Sequence, residues 1–332
     1  LVGPVVVART PKPVLACVKL TAAEAALTLA ATDLEVAVSL TSVKVEVSEE
    51  GEALIPADKF NQIVRESLDP TLAISVEQDV TEITGQDSRF KIYGYPAGDF
   101  PPLPQFTGEA DFEIAAGDMQ RLITQTIFAI ARENSRYAIN GVLIEREGKK
   151  LTVVATDGRR LALAKGTSKS ARDDKRSAIV PPKALHMLLR LIDDPAELIK
   201  VRIADNQILF STEAAVLSSN LVEGNFPPYR DVVPRDVDKK ATLDTEVFAS
   251  AVRRTALLTN EESKGIRLAF GSEGLTLTSR APEMGEAEVN VDVPKYGGEP
   301  IWSGFNQHCI LDALKVAETN QVRFAVEAEQ KT

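Results

Sequence analysis

Leu151-Thr-Val-Val-Ala-Thr-Asp157, continued by Gly158-Arg-Arg-Leu-Ala-Leu-Ala164, is the stretch of sequence that decides the fold. It predicts two apolar strands joined by a tight polar turn, which is a β-hairpin. The phrase Leu27-Thr-Leu-Ala-Ala-Thr-Asp33 lies 124 residues earlier (residue 27 against residue 151) and is identical at five of its seven positions. A hairpin that occurs twice with so little change predicts a duplicated unit.

Two further landmarks recur in the same order and at nearly the same distance. Pro56, which precedes a predicted helix, recurs as Pro181 after 125 residues, and Phe100-Pro-Pro recurs as Phe226-Pro-Pro after 126. A weaker third copy follows, because Leu275-Thr-Leu lies 124 residues after the Leu-Thr pair that begins at Leu151. Landmarks that keep one order and one spacing predict an internal duplication, here in three copies.

Each copy is long enough to be a domain with its own core, at roughly 110–125 residues. Its alternating strands predict antiparallel sheets with one buried face. We therefore predict an α+β protein of three tandem domains at residues 1–108, 109–236 and 237–332, with two helices in each. The helices are expected at residues 57–68, 115–133, 182–192, 245–260 and 306–317.

The repeat also makes a prediction about the two ends of the chain. By comparison with the helix at 115–133, the chain is expected to begin partway through the first helix of its first domain. By comparison with the second copy, the third copy is expected to stop roughly 25 residues early.

Composition limits the classes of protein that this chain can belong to. It has 332 residues, of which 44% are hydrophobic and 26% are charged, as in ordinary globular proteins. No run approaches the roughly 20 apolar residues of a membrane-spanning helix, so we predict a soluble protein. Its two distant cysteines, Cys17 and Cys309, argue against a disulfide framework and favour a reducing cytosol.

The formal net charge of −10 argues against nucleic-acid binding only until the charges are sorted by position. Acidic residues concentrate in predicted strands and loops, as at residues 46–52 and 283–288. Basic residues lie on the predicted helices: Lys59, Arg65, Arg121, Arg132, Lys183, Arg190, Arg253 and Arg254. An acidic exterior with one basic face would produce the same total charge.

The chain resembles the β sliding clamp family, the processivity subunit of bacterial DNA polymerase III. The resemblance covers the whole chain and is carried by Asn140-Gly-Val, Ala155-Thr-Asp-Gly-Arg-Arg-Leu161, Ile179-Val-Pro, Asn225-Phe-Pro-Pro-Tyr-Arg230, Asn260-Glu with Gly265-Ile-Arg, and Gly304-Phe-Asn. It implies a head-to-tail homodimer ring of six domains, with helices around a central hole and sheets outside. It also implies topological, sequence-independent binding of duplex DNA, without catalysis, metal or cofactor, by a cytoplasmic, nucleoid-associated protein.

The resemblance implies a DNA-facing set of basic and aromatic side chains. The set is Arg9, Arg65, Arg136, Tyr137, Lys183 and Arg190. Because DNA carries one negative charge per roughly 1.7 Å of its axis, a helix-lined hole must be basic. For any single one of these residues, an ordinary solvated helix face remains an equal alternative. Ala138 stands where relatives can have an aromatic residue.

The resemblance also implies a pocket that receives a short peptide from the replicative polymerase, the clamp loader or other clamp-binding proteins. Its residues are Ile139, Thr156, Gly158, Arg159, Arg160, Leu161, Pro227 and Val232. An extended peptide with apolar anchors needs an apolar groove and a few fixed polar groups. The alternative is that Ile139 and Leu161 are plain core residues. Arg159 occupies a position where relatives often have histidine.

The sequence leaves two other classes of protein as alternatives. An enzyme is disfavoured because His308 and Cys309 are sequence neighbours that do not share a helix face, and because no Gly-rich phosphate loop or zinc spacing occurs. Asp33 and Asp157 recur at matching turns, which predicts turn hydrogen bonding in place of acid catalysis. The second alternative is a ring or scaffold protein of the same design that does not bind DNA.

Overall fold

The computed structural model describes residues 1–7, 9–42, 45–131, 138–171, 174–234, 237, 239–260, 262, 264–293, 296 and 298–326. Within these residues, strands and helices follow one another in three groups. The first group contains β1 (Cys17–Ala23), β2 (Ala26–Thr32), β3 (Val36–Ser42), β4 (Gly51–Pro56), α1 (Ala57–Glu66), β5 (Ala73–Glu77), β6 (Val80–Thr84) and β7 (Arg89–Tyr93).

The second and third groups each begin with a further strand and helix and then follow this order, although only one strand is described after the second helix of the third group. The second contains β8 (Phe112–Ala115), α2 (Ala116–Thr124), β9 (Val142–Glu147), β10 (Lys150–Thr156), β11 (Leu161–Thr167), β12 (Ser170–Ala171), β13 (Lys175–Val180), α3 (Pro182–Leu191), β14 (Leu198–Ile203), β15 (Gln207–Ser211) and β16 (Ala215–Asn220). The third contains β17 (Lys239–Asp244), α4 (Thr245–Thr255), β18 (Gly265–Gly271), β19 (Gly274–Ala281), β20 (Gly285–Val291), β21 (Ile301–Asn306), α5 (Gln307–Lys315) and β22 (Gln321–Val326).

The first two groups share one antiparallel sheet of nine strands, in the order β12-β8-β14-β15-β16-β3-β2-β1-β4. Its junction is the pair β3 and β16, where Val38 lies opposite Leu217. Val38 is fully buried and Leu217 is 1% exposed, so apolar side chains continue across the junction. The shared sheet therefore joins two copies of the repeat through backbone hydrogen bonds.

The remaining sheets are smaller and are also antiparallel. Their strand orders are β5-β6-β7, β11-β10-β9-β13, β20-β19-β18-β21 and β17-β22. Strands β7, β11 and β20 each stand at the edge of their sheet among the described residues. Such edges offer unpaired backbone groups to a further strand.

The chain divides into two compact units that are not the three repeats. One contains residues 1–123, 130–155 and 163–225, and the other contains residues 124–129, 156–162 and 226–332. The first unit thus holds the nine-stranded sheet. The second holds the third copy together with the turn between β10 and β11.

The helices form where apolar residues recur at helical spacing. In α3, Pro182 stands at the first helical position, where its missing N–H costs nothing. The buried face of this helix consists of Ala184, Leu185, Met187, Leu188 and Leu191. Helix α4 begins at Thr245 and is capped by Asp244, whose carboxylate accepts a hydrogen bond from the Val247 N–H. None of the described helices is long and apolar enough to cross a membrane.

The prediction of one continuous helix over residues 115–133 was wrong. Helix α2 ends at Thr124, and a 3₁₀ turn follows at Ile127–Ala129, where the Ala129 N–H donates to the Thr126 carbonyl. The apolar spacing that suggested a long helix continues through this turn. It is interrupted by Thr124-Gln-Thr126, and β-branched threonine has a low helix propensity. The helix expected at 245–260 likewise ends at Thr255 and continues as a 3₁₀ turn at Ala256–Leu258.

Candidate functional site

The turn between β10 and β11 is closed by two of its own side chains. The Thr156 hydroxyl donates to the Arg160 carbonyl at 2.6 Å and accepts from the Gly158 N–H at 3.1 Å. Asp157 Oδ1 accepts from the N–H groups of Arg159 at 2.9 Å and Arg160 at 3.0 Å. These four hydrogen bonds are all local to the turn and fix its backbone conformation.

The matching turn between β2 and β3 has the same four hydrogen bonds. The Thr32 hydroxyl donates to the Val36 carbonyl at 3.0 Å and accepts from the Leu34 N–H at 2.9 Å. Asp33 Oδ1 accepts from the N–H groups of Glu35 and Val36 at 2.9 and 2.6 Å. The prediction that both aspartates serve turn hydrogen bonding is confirmed.

The two turns differ in the residue that takes up the left-handed conformation. Gly158 has φ +85°, and Leu34 at the matching position has φ +78°. Glycine adopts this conformation without strain, whereas a leucine does not. A Cβ built on Gly158 would meet nothing within 4 Å, so the glycine leaves open space on the turn surface.

Arg160 connects this turn to two other parts of the same compact unit. Its Nη1 donates to Asp312 Oδ2 on α5 at 2.6 Å, and its Nη2 donates to the Phe128 carbonyl at 2.8 Å. Its Nε donates to Asp157 Oδ2 at 3.1 Å, and the guanidinium carbon lies 5.5 Å from the centroid of the Phe128 ring. The planar guanidinium is thereby engaged along all of its edges, as expected for a structural anchor.

The electrostatic surroundings of Arg160 reflect these contacts. Partial burial acts to lower its pKa, but the hydrogen bond to Asp312 and the electrostatic interactions with Cys309, Asp312 and Asp157 outweigh this effect and raise the pKa. Arg160 therefore stays charged and is paired with Asp157 and Asp312. Its described contacts tie the turn to Asp312 on α5 and to Phe128.

The other predicted partner residues differ in how far they reach the surface. Gly158 and Arg159 are exposed, Leu161 and Pro227 are half-buried, and Val232 is 69% exposed. The Pro227 carbonyl accepts from the Tyr229 N–H at 2.7 Å at the start of a 3₁₀ turn. All of these residues, together with Thr156 and Arg160, belong to one compact unit. Ile139 is 7% exposed and belongs to the other unit, where its carbonyl accepts from the Ala131 N–H.

The predicted DNA-facing residues include two on helix α3. Lys183 and Arg190 are exposed, and His186 shares their face at the i, i+3 and i+7 positions. Helix α3 contains no Asp or Glu, unlike the other four helices. Lys183 is ion-paired with Asp33 of the first turn, so part of its charge is neutralised within the chain.

The remaining members of the DNA-facing set are dispersed. Arg65 lies exposed in the last turn of α1, and Arg9 is exposed near the start of the chain. Arg136 and Tyr137 lie outside the described residues. Ala138, the position at which relatives can be aromatic, is 5% exposed.

Sequence reasoning missed three partners of these sites. Sequence reasoning did not connect Arg160 with Asp312 or with the Phe128 carbonyl, and it did not connect Lys183 with Asp33. The ion-paired residues are 152 positions apart in the first case and 150 in the second. No local spacing signals such pairs. The one available hint was that Asp33 and Arg160 occupy the same repeated turn.

Two further features bear on metal binding and on small-molecule binding. Across the described ranges, no group of three or more His, Cys, Asp or Glu side chains is arranged to hold a metal ion. A cleft of about 540 Å³ lies between α4 and α5 and is lined by Asp244, Glu246, Arg253 and Lys315, among others. None of the predicted partner residues lines it, and its lining contains charges of both signs.

Comparison with protein families decides the identity of the three repeats. Residues 2–104 match the N-terminal domain of the DNA polymerase III beta subunit, residues 113–228 its central domain, and residues 230–332 its C-terminal domain. The chain belongs to the DNA polymerase III beta subunit family. As a beta sliding clamp, it serves processivity in DNA replication.

Individual relatives agree with this assignment. The beta sliding clamp of Pseudomonas aeruginosa is 37% identical over 326 residues, which are 98% of this chain and 88% of that protein. Its crystal structure bound to griselimycin superposes with a TM-score of 0.93 at 36% identity, over 98% of this chain and 88% of that one. The C. crescentus clamp, solved with PEG at what is described as a beta-motif tethering region, superposes with a TM-score of 0.88 at 33% identity and the same coverage. The predicted clamp fold of tandem α+β domains is confirmed.

Proposed function

We propose that this sliding clamp encircles duplex DNA as a head-to-tail homodimer and holds it without reading its sequence. The observation that carries the proposal is the solvent face of α3, where Lys183, His186 and Arg190 stand on a helix without any acidic residue. Such a face attracts the phosphate backbone whatever the base sequence. Arg9, Arg65, Arg136 and Tyr137 complete the DNA-facing set.

The experiment that tests this proposal compares circular with linear DNA. The clamp is loaded by a clamp loader on nicked circular duplex, and the retained protein is measured before and after the circle is cut. A topological link predicts retention on the circle and rapid loss after linearisation. Equal retention on both forms would overturn the topological proposal and leave ordinary electrostatic binding.

We further propose that the surface beside the second turn receives a peptide from the replicative polymerase, the clamp loader and other proteins with a clamp-binding motif. The contacting residues are Gly158, Arg159, Leu161, Pro227 and Val232, while Thr156 and Arg160 hold the turn in shape. The exposure of Val232 gives the strongest support. Its side chain is 69% exposed, so a bound peptide that covers it would remove apolar surface from water. Ligand binding to the P. aeruginosa and C. crescentus clamps is consistent with this proposal.

This peptide site is tested by Leu161→Asp, with Leu198→Asp as the matched control. Leu161 is half-buried beside the turn, and Leu198 is a partly exposed leucine on β14. We expect Leu161→Asp to abolish binding of a polymerase-derived peptide without changing the dimer, and Leu198→Asp to leave both unchanged. Undiminished peptide binding by Leu161→Asp would remove this residue from the site.

In this proposal the clamp is not an enzyme. Nucleotide hydrolysis belongs to the loader, and DNA synthesis belongs to the tethered polymerase. The clamp works in the cytoplasm, on the nucleoid, and its turn aspartates act structurally. A scaffold function without DNA is the second candidate, and the circular-DNA experiment separates the two.

A further inference from the structure

Helix α5 holds one carboxylate in a fixed place at its surface. Ile310 and Leu314, which are 7% and 9% exposed, anchor the helix in the core of the third copy. Residues four positions apart share one face of a helix, so Asp312, midway between these two, lies on the opposite face. Its side chain is 40% exposed. The packing of the helix therefore also fixes the place of the Asp312 carboxylate.

This carboxylate has one partner among the residues that the structure describes. Arg160 Nη1 donates to Asp312 Oδ2 at 2.6 Å. Helix α5 does not depend on this contact for its own hydrogen bonds, because the side chain of Asn306 caps its start by accepting from the His308 N–H. The described contacts of Asp312 are thus directed entirely at the turn of the second copy.

The contacts of the Arg160 guanidinium come from two copies of the repeat. Its Nε donates to Asp157 Oδ2 and its Nη2 donates to the Phe128 carbonyl, and both of these acceptors belong to the second copy. Among the described residues, Asp312 is the acceptor that belongs to the third copy. Without Asp312, the guanidinium would be hydrogen-bonded to the second copy alone.

The first turn shows that the side chain of Arg160 is not needed to close such a turn. Val36 occupies the position that matches Arg160, and its side chain is 2% exposed. The first turn nevertheless has the same four local hydrogen bonds as the second. The pair of Arg160 with Asp312 therefore adds something other than turn shape, namely a link from the second turn to the third copy.

The residues of the proposed peptide site lie at both ends of this link. Arg159 and Leu161 directly precede and follow Arg160, whereas Val232 lies among residues 230–332, which match the C-terminal domain of the family. The distance from Leu161 to Val232 therefore depends on how the second turn is placed on the third copy. A peptide that touches both side chains binds more tightly when this distance is fixed beforehand, because less ordering is then required.

We propose that Asp312 is a positioning residue for the peptide site. By binding Arg160, it holds residues 158–161 at one place relative to the third copy, and it makes no contact with the peptide itself. This inference rests on the proposed peptide site and names the residue that keeps its two parts in register. The local hydrogen bonds of the turn set its shape, and the ion pair sets its place.

Asp312→Asn tests the proposal with the smallest change in shape. Asparagine keeps one acceptor oxygen but removes the charge, and a neutral hydrogen bond is weaker than a charge-assisted one. For a synthetic peptide that carries the clamp-binding motif of the replicative polymerase, we expect the Kd to rise about threefold to tenfold, mostly through faster dissociation. Asp312→Glu keeps the charge and should bind this peptide more tightly than Asp312→Asn does.

Glu246→Gln is the matched control for the loss of one negative charge. Glu246 lies on α4 in the same compact unit as Asp312, and its side chain is 89% exposed. Its substitution should change the Kd by less than about twofold, as expected for an exposed charge. All titrations are made at a temperature at which thermal melts show every variant to be folded. A change in the free energy of unfolding then leaves the Kd unaffected.

A double-mutant cycle with Arg160→Ala separates positioning from direct contact. If Asp312 acts through Arg160, Asp312→Asn should have no further effect on the Kd once the Arg160 side chain is absent. An unchanged Kd for Asp312→Asn alone, or an equal fold-change in both backgrounds, would overturn the positioning role. A wild type that does not bind the peptide, or a Leu161→Asp variant that binds it equally well, would instead overturn the peptide site itself.

Discussion

Arg160 in the second turn and Asp312 on helix α5 are joined by a 2.6 Å hydrogen-bonded ion pair across 152 residues of sequence. The first turn also forms an ion pair with a helix, but at a different position and with the charges exchanged: Asp33 accepts from Lys183, a residue of helix α3. The repeated turn therefore serves twice as a docking point for the second helix of the next copy. The first turn contributes an acidic residue, Asp33, to its ion pair, and the second turn contributes a basic residue, Arg160.

Removing the Arg160 side chain should destabilise the clamp and weaken peptide binding indirectly. Arg160→Ala leaves Asp312 and the Phe128 carbonyl without this donor, which predicts a loss of about 1–3 kcal/mol in the free energy of unfolding. Arg160→Lys should recover only part of it, because an ammonium group cannot make the fork of contacts. Urea unfolding and peptide titration measure both effects. If Arg160→Ala abolished peptide binding while leaving stability unchanged, Arg160 would be a contact residue.

Reversing the charge of Arg190 should weaken DNA binding more than reversing a charge on the sheet surface. Arg190→Glu places a carboxylate on the acid-free face of α3, and we expect DNA affinity to fall about threefold to tenfold at moderate salt. The slope of log affinity against log salt should decrease by about 1. Lys200→Glu on β14 is the control with the same change in charge. Equal effects of the two variants would show that only net charge matters.

At the left-handed positions of the two turns, introducing a glycine and removing one should change the free energy of unfolding in opposite directions. Leu34→Gly should raise the free energy of unfolding by up to about 1 kcal/mol, because strain relief of 1–2 kcal/mol exceeds the entropic cost of glycine. Gly158→Ala should lower it by about 1 kcal/mol. Gly271→Ala is the control, since this strand glycine has no left-handed conformation and faces open space. Thermal melts of the three variants measure the changes, and a stabilising Gly158→Ala would contradict the argument.

The interactions of Asp174 should make the free energy of unfolding fall in acid. A hydrogen bond from the fully buried Arg146, helped by a second from Arg176, holds the pKa of Asp174 below its usual value. Because the folded pKa is the lower one, this stabilisation is complete above the ordinary aspartate pKa and is lost as pH falls through the folded value. Asp174→Asn should therefore unfold more easily at pH 7 and show a flatter pH dependence in the acid range. An unchanged stability–pH curve would rule out this contribution.

The two cysteines should differ strongly in reactivity. Burial, with a smaller contribution from Asp58, raises the pKa of Cys17 to about 11. At pH 8 only about one Cys17 thiol in a thousand is then ionised, and the thiolate is the reactive form. Cys309 is only partly buried and should be alkylated first in the native protein. Mass spectrometry of labelled peptides tests this order, and labelling of Cys17 as fast as Cys309 would contradict it.

A structural feature could be predicted from the sequence when the residues that form it are close together along the chain. The hairpin turns were predictable because each is closed by hydrogen bonds between residues two to four positions apart. Helices α1 and α3 were predictable from their apolar spacing. The end of α2 was not, since the same spacing continues into a 3₁₀ turn.

The candidate site was predicted in part. The turn residues Thr156–Leu161 lie together with Pro227 and Val232 in one unit, but the contacts of Arg160 with Asp312 and Phe128 were not predicted. On α3, the exposed Arg190 was expected from the helical pattern, whereas the pairing of Lys183 with Asp33 was not. In both cases the missing ion-pair partner, Asp312 or Asp33, comes from another copy of the repeat.

The sequence by itself determined the threefold repeat, the turn chemistry and the basic face of α3, because each depends on residue type at short, regular spacing. Only the tertiary structure decided that β3 joins β16 and which charges neutralise each other. The physical reason is that ion pairs and strand pairs form between groups that packing brings within about 3–5 Å, whatever their separation along the chain.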